Sequence, residues 1–367
     1  MAATTKAADF EETSDNDCDC FVTNGTDSHF FTNHKFFDFR SLSEHVNVPE
    51  PINDPDDSAI APPASDYFTQ SHWMDSWGIQ GWNNSGNMEE GEAKLLMVNS
   101  PSNVYIEKNQ DPESESDTFL TLRTMRHDDF QSAAEFESVP MSYHFLSARI
   151  YTRTVGAKGA IAAMFTYRKG EDDDPNLVQE ADLEIRTIDP PDRIQYTNQP
   201  SYSRTGETVG QATQNATVPR SWEDWSVHRF DWNPKTTTWY VDGQNVSQIG
   251  FQTPRDPAQV IFNMWSEGTA WTGNMSRGDA AYMQIQWIEL LYNSTGDATT
   301  TNGGGYVTHA KHAKRKDDAC KKVCSVDESH KIGTAVLVAN DAPSSIMGVS
   351  SPLGFAAAFF VTLFAIL

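Results

Sequence analysis

The feature that most constrains the fold is a succession of short alternating segments between residues 21 and 296. Apolar and polar side chains alternate along them, and Gly, Pro, Asn or Asp separates one segment from the next. This pattern is typical of half-buried strands joined by turns. Examples are HKFFDFRSL, EAKLLMVN, SYHFLSARIYTRTV, WSVHRFDWNP and AAYMQIQWIELLYN. The sequence therefore predicts an all-β fold, a sandwich or jelly roll of two packed antiparallel sheets.

One segment, LVQEADLEIRT, carries an acid at every second position. Glu180, Asp182 and Glu184 fall on one face of the expected strand, and apolar residues fall on the other. Stacked like charges cost stability. In a chain with 51 Asp and Glu against 27 Lys and Arg, the segment could be an acidic solvated strand, and Arg186 could pair with Glu184. A row of carboxyls with no basic residue between them instead indicates a functional site.

Hydrolysis of a glycosidic bond uses such a set of carboxyls. One carboxylic acid protonates the leaving oxygen, and one carboxylate attacks the sugar or activates water. Asp182, between the two glutamates, would hydrogen-bond one of them and separate their pKa values. A concave sheet of the sandwich would hold a polysaccharide chain in a groove. We expect the activity of this set to peak below neutral pH.

At these residues the chain resembles glycoside hydrolase family 16. The family motif E-x-D-x-E is matched by EADLE, and the resemblance extends over most of residues 30–294. Further matching segments are FFDFRSL (Phe36–Leu42), WSVHRFDWNPKTTTWYVDGQNV (Trp225–Val246) and FNMWSEGTAWTGNM (Phe262–Met275). The resemblance is to fungal extracellular, GPI-anchored members, and it implies a concanavalin A-like jelly roll with a concave glycan-binding cleft.

The resemblance also implies roles for single residues. Glu180 would be the nucleophile, Glu184 the general acid/base and Asp182 the assisting carboxylate. Ala181 stands where the family usually has Ile or Val, so a smaller residue is expected on the core face. Trp265 and Trp271 match the aromatic block that lines the cleft in the family. Weaker candidates for sugar contacts, each with a structural role as the alternative, are His228, Asn198 and Gln199.

The function that the resemblance implies is retaining hydrolysis of cell-wall β-glucan, of the endo-β-1,3 or 1,3-1,4 type. Two alternatives stay open: a cell-wall transglycosylase of the same family, and a non-catalytic jelly roll that binds glycan. No cofactor is implied, and a monomer is expected. The net charge of −24 argues against a nucleic-acid partner, because nothing resembles a basic groove.

The four cysteines lie outside the central body, at Cys18, Cys20, Cys320 and Cys324. Their C-x-C and C-x-x-x-C spacings have no convincing His partners and match no zinc site, so no metal is expected. Disulfides are the expected state, and the sequence leaves their pairing open.

The chain is expected to have four parts: an acidic leader (residues 1–20), a catalytic jelly roll (21–296), a linker with the basic patch KHAKRKDD (297–339) and a GPI-attachment signal (340–367). The last part combines small residues near Asn340, a polar spacer and the uncharged tail LGFAAAFFVTLFAIL. The alternative for the tail is a membrane anchor helix, although it is short for one. The protein is thus expected to contact a membrane only through a GPI anchor.

Glycosylation sequons support an extracellular, cell-surface or cell-wall location. They lie at Asn24, Asn83, Asn215, Asn245, Asn274 and Asn293. The first twenty residues have no apolar segment of the kind found in a secretory signal peptide. We therefore expect the true start of the protein to lie upstream of, or to differ from, this one.

Overall fold

A computed structural model describes residues 10–91, 93–112, 114–295 and 320–340 of the chain. Its strands are, in chain order, β1 (Glu12–Thr13), β2 (Cys20–Val22), β3 (Phe30–Phe31), β4 (Asn33–Asp38), β5 (Trp77–Ile79), β6 (Leu96–Asn99), β7 (Val104–Lys108), β8 (Thr118–Arg126), β9 (Phe130–Ser138), β10 (Tyr143–Gly156), β11 (Ile161–Arg168), β12 (Gln179–Arg186), β13 (Arg193–Gln199), β14 (Thr213–Thr217), β15 (Ser226–Trp232), β16 (Thr237–Val241), β17 (Gln244–Ile249), β18 (Gln259–Trp265), β19 (Ala280–Ser294), β20 (Val323–Ser325) and β21 (Ala335–Ala339).

The helices of the described residues are short. The α-helices are α1 (Pro55–Ile60), α2 (Ser71–Met74) and α3 (Ser85–Glu90). The 3₁₀ helices are Asp15–Asp17, Ser43–His45, Asp66–Thr69, Pro101–Asn103, Glu171–Asp173 and Pro175–Leu177. None of the helices in the described ranges is both long and apolar enough to cross a membrane. Residues 297–319 of the predicted linker and residues 341–367 of the predicted GPI signal lie outside the described residues.

The chain divides into two compact units, and the smaller one joins the two ends of the sequence. Its five-stranded sheet has the order β1-β21-β20-β2-β3. Two disulfides, Cys18–Cys324 and Cys20–Cys320, connect its N-terminal and C-terminal segments. The sequence had placed these segments in a leader, the start of the jelly roll and a linker. In the structure these segments instead belong to one compact unit. The sequence did not indicate this, because strand pairing and disulfides across some three hundred residues leave no local pattern.

The larger unit, from Phe36 onward, is the predicted β-sandwich. Its strands pair in the order β14-β13-β12-β11-β18-β9-β8-β19-β10-β15-β16-β17. The sheet folds over at the short β8–β9 ladder, where only Met125 and Arg126 pair with Gln131 and Ser132. Strands β4, β5, β6 and β7 attach beside this path. The all-β jelly-roll prediction is confirmed.

The core lies between the two halves of the folded sheet. Alternate residues of β12, namely Ala181, Leu183 and Ile185, are at most 1 % exposed and belong to it. Across the interior, the rings of Tyr196 on β13 and Trp239 on β16 lie 5.1 Å apart. Because one side of β12 is committed to this core, the pleat directs its acids to the opposite face.

Candidate active site

The three predicted acids lie in one row on the outer face of β12. This strand is paired with β11 on one side and β13 on the other, so its backbone is held in the middle of a sheet. Glu180 and Glu184 are half-buried, and Asp182 between them is 2 % exposed. The row is therefore part of a rigid, largely desolvated surface rather than a solvated acidic strand.

Glutamine side chains of β13 hold two of these acids. Gln195, directly opposite Glu184, donates an amide hydrogen bond to its Oε2 at 3.0 Å. Gln199 donates to Oδ2 of Asp182 at 3.4 Å, so this predicted sugar-binding residue contacts a predicted catalytic one. Arg186 does not pair with Glu184; its guanidinium binds the carboxylate of Asp189 at 2.8 and 3.0 Å.

The carboxyl pKa values of the row are all raised. Burial is the largest cause, and it raises the pKa of Glu180 to about 7 while hydrogen bonding with Asp182 offsets part of the rise. Burial and then the charge of Glu180 raise the pKa of Glu184 to about 8. Burial and the two glutamates hold the pKa of Asp182 well above its usual range. Burial therefore favours the protonated form of all three groups, and the row titrates as one interacting set.

A second pair of acids, Glu135 and Glu137, lies on the same face, on β9. Register places Glu184, Ala163, Asn263 and Glu135 in one row across β12, β11, β18 and β9. Three strand spacings separate the row's ends by about 14 Å. This surface is thus wide enough for several sugars of a chain that crosses the strands.

Glu135 is held by two donors at this far end of the row. The indole N–H of Trp82 donates to it at 2.6 Å, and the Asn263 amide donates at 3.3 Å. Burial raises its pKa to about 7. Trp82 is 43 % exposed, so its ring forms an open aromatic surface next to a buried carboxyl. An open ring beside hydrogen-bonding groups is suited to the apolar face and the hydroxyls of a sugar.

The predicted tryptophans lie at the Glu184 end of the acidic row. Trp265 is two residues beyond Asn263 on β18 and therefore shares its face. Its ring lies 5.9 Å from the ring of Trp271, and the guanidinium of Arg186 lies 5.8 Å from the Trp271 ring. Both tryptophans are half-buried, which leaves part of each ring accessible from the cleft.

Two predicted sugar-binding residues are not in the cleft. His228 is 1 % exposed on β15, directly between the core residues Ile150 and Val241 of its neighbouring strands, and burial lowers its pKa to about 4. Asn198 is fully buried on the core side of β13, where it donates to the Phe251 carbonyl and accepts from Thr237. Both residues therefore have the structural role that the sequence left open as the alternative, because a polar residue near a motif in sequence can point to the other face of its strand.

The predicted modification sites are on the surface. The asparagines of the sequons are exposed at Asn24, Asn83, Asn215, Asn245 and Asn274, and half-buried at Asn293. Asn340, the predicted anchor position and the first residue of the predicted GPI signal, is exposed and is the last residue that the structure describes. Their glycosylation and anchoring stay predictions.

The comparison with known families agrees with this geometry. The family described as glycosyl hydrolases family 16 matches residues 97–289, which is more than half of the chain and includes the whole acidic row. The chain belongs to glycosyl hydrolase family 16.

Named relatives of this family 16 chain are bacterial. It is 28 % identical over 136 residues to a beta-glucanase of Bacillus subtilis, covering 35 % of this chain and 51 % of the relative. It is 25 % identical over 149 residues to a beta-glucanase of Brevibacillus brevis (40 % and 55 %), and 24 % identical over 163 residues to a xylanase/beta-glucanase of Ruminococcus flavefaciens (44 % and 19 %). The chain thus spans about half or less of the length of these relatives.

The chain is also similar to solved structures, at lower identity. Bacillus licheniformis beta-glucanase is 20 % identical, with 60 % of this chain and 92 % of that one covered and a TM-score of 0.46. The endo-beta-1,3-glucanase from Pyrococcus furiosus is 16 % identical, with 75 % and 99 % covered and a TM-score of 0.47.

The acids at the Glu135 end of the family 16 cleft were not predicted from the sequence. The segment AEFES holds Glu135 and Glu137 at alternate positions, with the same period as the acidic row of β12. That alternation could have placed two more acids on one strand face. Nothing in the sequence, however, showed that β9 and β12 present their acids on the same sheet, or that Trp82 lies against Glu135.

Proposed function

We propose that this chain is a retaining glycosidase that hydrolyses β-glucan, of the endo-β-1,3 or 1,3-1,4 type, with Glu180 and Glu184 as its two catalytic groups. The observation that carries the proposal is the row of three carboxyls on one sheet face, in which burial raises every pKa and brings the pKa of Glu180 to about 7 and that of Glu184 to about 8. A retaining mechanism needs one ionised and one protonated carboxyl on the same substrate. A binding module needs neither raised pKa values nor a coupled set.

The first step uses this difference in protonation. We assign the ionised role to Glu180, whose pKa is about 7, and the protonated role to Glu184, whose pKa of about 8 is raised in part by the charge of Glu180. The Glu180 carboxylate attacks the anomeric carbon, and Glu184 gives its proton to the leaving oxygen. Asp182, whose own pKa is held well above its usual range by burial and the two glutamates, hydrogen-bonds with Glu180 and lowers the pKa of that carboxyl.

The second step follows from the electrostatic coupling. Once Glu180 is esterified by the sugar, its negative charge is gone. The charge of Glu180 is the main electrostatic cause of the raised Glu184 pKa, so that pKa falls in the intermediate. Glu184, now ionised, removes a proton from water while the water oxygen attacks the anomeric carbon. The bond between that carbon and Glu180 breaks, Glu180 leaves as a carboxylate, and the sugar is released with retained configuration. One residue thus acts as acid and then as base.

The substrate class rests on the relatives and on the dimensions of the cleft. Named relatives in the family are beta-glucanases. The face from Glu184 to Glu135 accommodates several sugars, with the ring of Trp82 at one end and the rings of Trp265 and Trp271 beside the acids. A chain of glucose units, which has apolar ring faces and hydroxyl edges, fits this mixture of aromatic and polar side chains.

We further propose that the larger unit is the catalytic domain of a fungal extracellular protein, held at the cell surface or wall by a GPI anchor near Asn340. Exposed sequons and two disulfides are typical of the secretory pathway. The uncharged C-terminal tail supports the anchor. Release of the protein from cells by a phosphatidylinositol-specific phospholipase tests this part, and protein that stays on the membrane would contradict it.

The activity is tested with a panel of polysaccharides. Purified protein is incubated with laminarin, lichenan, chitin oligomers and xyloglucan, and the products are separated by chromatography. We expect shorter glucan fragments from laminarin or lichenan, and none from the Glu180→Gln variant. Glu223→Gln, which changes an exposed acid before β15, serves as the matched control and should keep full activity. Products longer than the substrate would indicate a transglycosylase, and wild-type protein that binds glucan without cleaving it would indicate a binding module.

A further inference from the structure

Asn215, one of the predicted glycosylation sites, lies on the edge strand of the catalytic sheet. It is the central residue of β14, which pairs only with β13 in the strand order of the described residues. Its sequon, Asn-Ala-Thr, ends at Thr217, and both Asn215 and Thr217 are exposed. An oligosaccharyltransferase modifies sequons of this kind on accessible surfaces.

The side chain of Asn215 shares a face with the catalytic acids. Asn215 is directly opposite Gln195, and Gln195 is directly opposite Glu184. Directly paired residues point to the same side of a sheet. Two side-chain hydrogen bonds bear this out: Gln195 donates to Glu184, and the hydroxyls of Thr197 and Thr213 are 3.2 Å apart two pairs further along, on the same face.

The distance between Asn215 and Glu184 is short compared with the size of an N-linked glycan. Two strand spacings separate the backbones of Asn215 and Glu184 by about 10 Å. A polysaccharide that crosses the strands from the Glu135 end and continues past Glu184 must pass over β14. A branched oligosaccharide attached at Asn215 would stand in that path.

From this placement we infer that Asn215 carries an N-linked glycan that limits the passage of long glucan chains at the β14 end of the cleft. The glycan makes the enzyme prefer chain ends and short chains over the interior of a long polymer. This inference rests on the proposed glucanase function and adds a modification that tunes it.

The experiment separates the glycan from the asparagine itself. The full chain is produced in a eukaryotic secretory host as wild type, as Thr217→Ala, which removes the sequon but keeps Asn215, and as Thr217→Ser, which keeps the sequon. Occupancy of Asn215 is measured by mass spectrometry of glycopeptides. The kcat/KM is measured for long lichenan or laminarin and for an aryl β-glucobioside, a donor too short to reach β14.

We expect Asn215 to be occupied in the wild type and in Thr217→Ser, and kcat/KM on the polymer to rise several-fold in Thr217→Ala alone. The value for the short donor should stay the same in all forms. An unmodified Asn215, or an equal polymer rate with and without the glycan, overturns the inference while the short-donor activity leaves the proposed function standing. If no form cleaves either substrate, the proposed function fails and this inference fails with it.

Discussion

At the scale of single residues, the three acids of β12 differ in environment although they repeat at equal spacing. Glu184 has a glutamine donor and lies near a cation, Asp182 is the most deeply buried, and a hydrogen bond with Asp182 lowers the pKa of Glu180. Their types and spacing could be predicted from the sequence. The order of their pKa values could not, because it depends on donors from β13 and on burial by neighbouring strands.

These pKa values predict a bell-shaped pH profile for kcat/KM. Activity should be lost as the pH falls below about 7, since Glu180 becomes protonated and cannot attack. It should also be lost as the pH rises above about 8, since Glu184 no longer has a proton to give. The sequence alone led us to expect an optimum below neutral pH, and burial of the row moves that expectation upward. Initial rates on an aryl oligoglucoside between pH 4 and pH 10 measure it.

Replacement of the middle acid tests the coupling in the same assay. Asp182→Ala removes the neighbour that lowers the pKa of Glu180, so the acidic limb should shift to higher pH while the alkaline limb stays. The maximum of kcat/KM should fall by at least about tenfold, which corresponds to about 1.4 kcal/mol. Glu223→Gln should leave both limbs in place. An acidic limb that Asp182→Ala does not move would exclude Asp182 from the coupled set.

At the scale of elements, β12 is the strand that the sequence described best. Its period-2 pattern predicted a strand with one apolar and one acidic face, and the structure has Gln179–Arg186 in that arrangement. The family resemblance offered Asn198 and His228 as sugar contacts, but the local pattern could not assign their faces. Pairing with neighbours decides the face, and those neighbours lie far away in sequence.

The core face of β12 gives a prediction about stability. Leu183 is 1 % exposed in the core, whereas Leu177, just before the strand, is 46 % exposed. Leu183→Ala should lower the free energy of unfolding by about 2–5 kcal/mol, because it leaves a cavity under the acidic row. Leu177→Ala, the same chemical change, should stay within about 0.5 kcal/mol of the wild type. The urea midpoint of activity loss measures both, and equal effects would contradict the face assignment.

At the scale of the whole molecule, local patterns predicted the sandwich but not the division of the chain. The alternating segments specify many strands, and a two-layer stack is the way to bury one face of each. The small unit escaped notice because β1, β2 and β3 are only two or three residues long. Its disulfides, Cys18–Cys324 and Cys20–Cys320, join positions whose pairing the sequence left open.

We propose Glu180 as the nucleophile and Glu184 as the acid/base of a retaining enzyme. Azide rescue distinguishes the two roles, because azide is a small nucleophile that needs no general base and fits the gap left by truncation. In Glu180→Ala no glycosyl-enzyme forms, so azide should attack an activated β-donor directly and give the α-glycosyl azide. In Glu184→Ala the intermediate still forms from a donor with a good leaving group, and azide should displace it to give the β-azide. A β-azide from Glu180→Ala together with an α-azide from Glu184→Ala would reverse the two roles, and full activity in both variants without azide would show that the row is only an acidic strand.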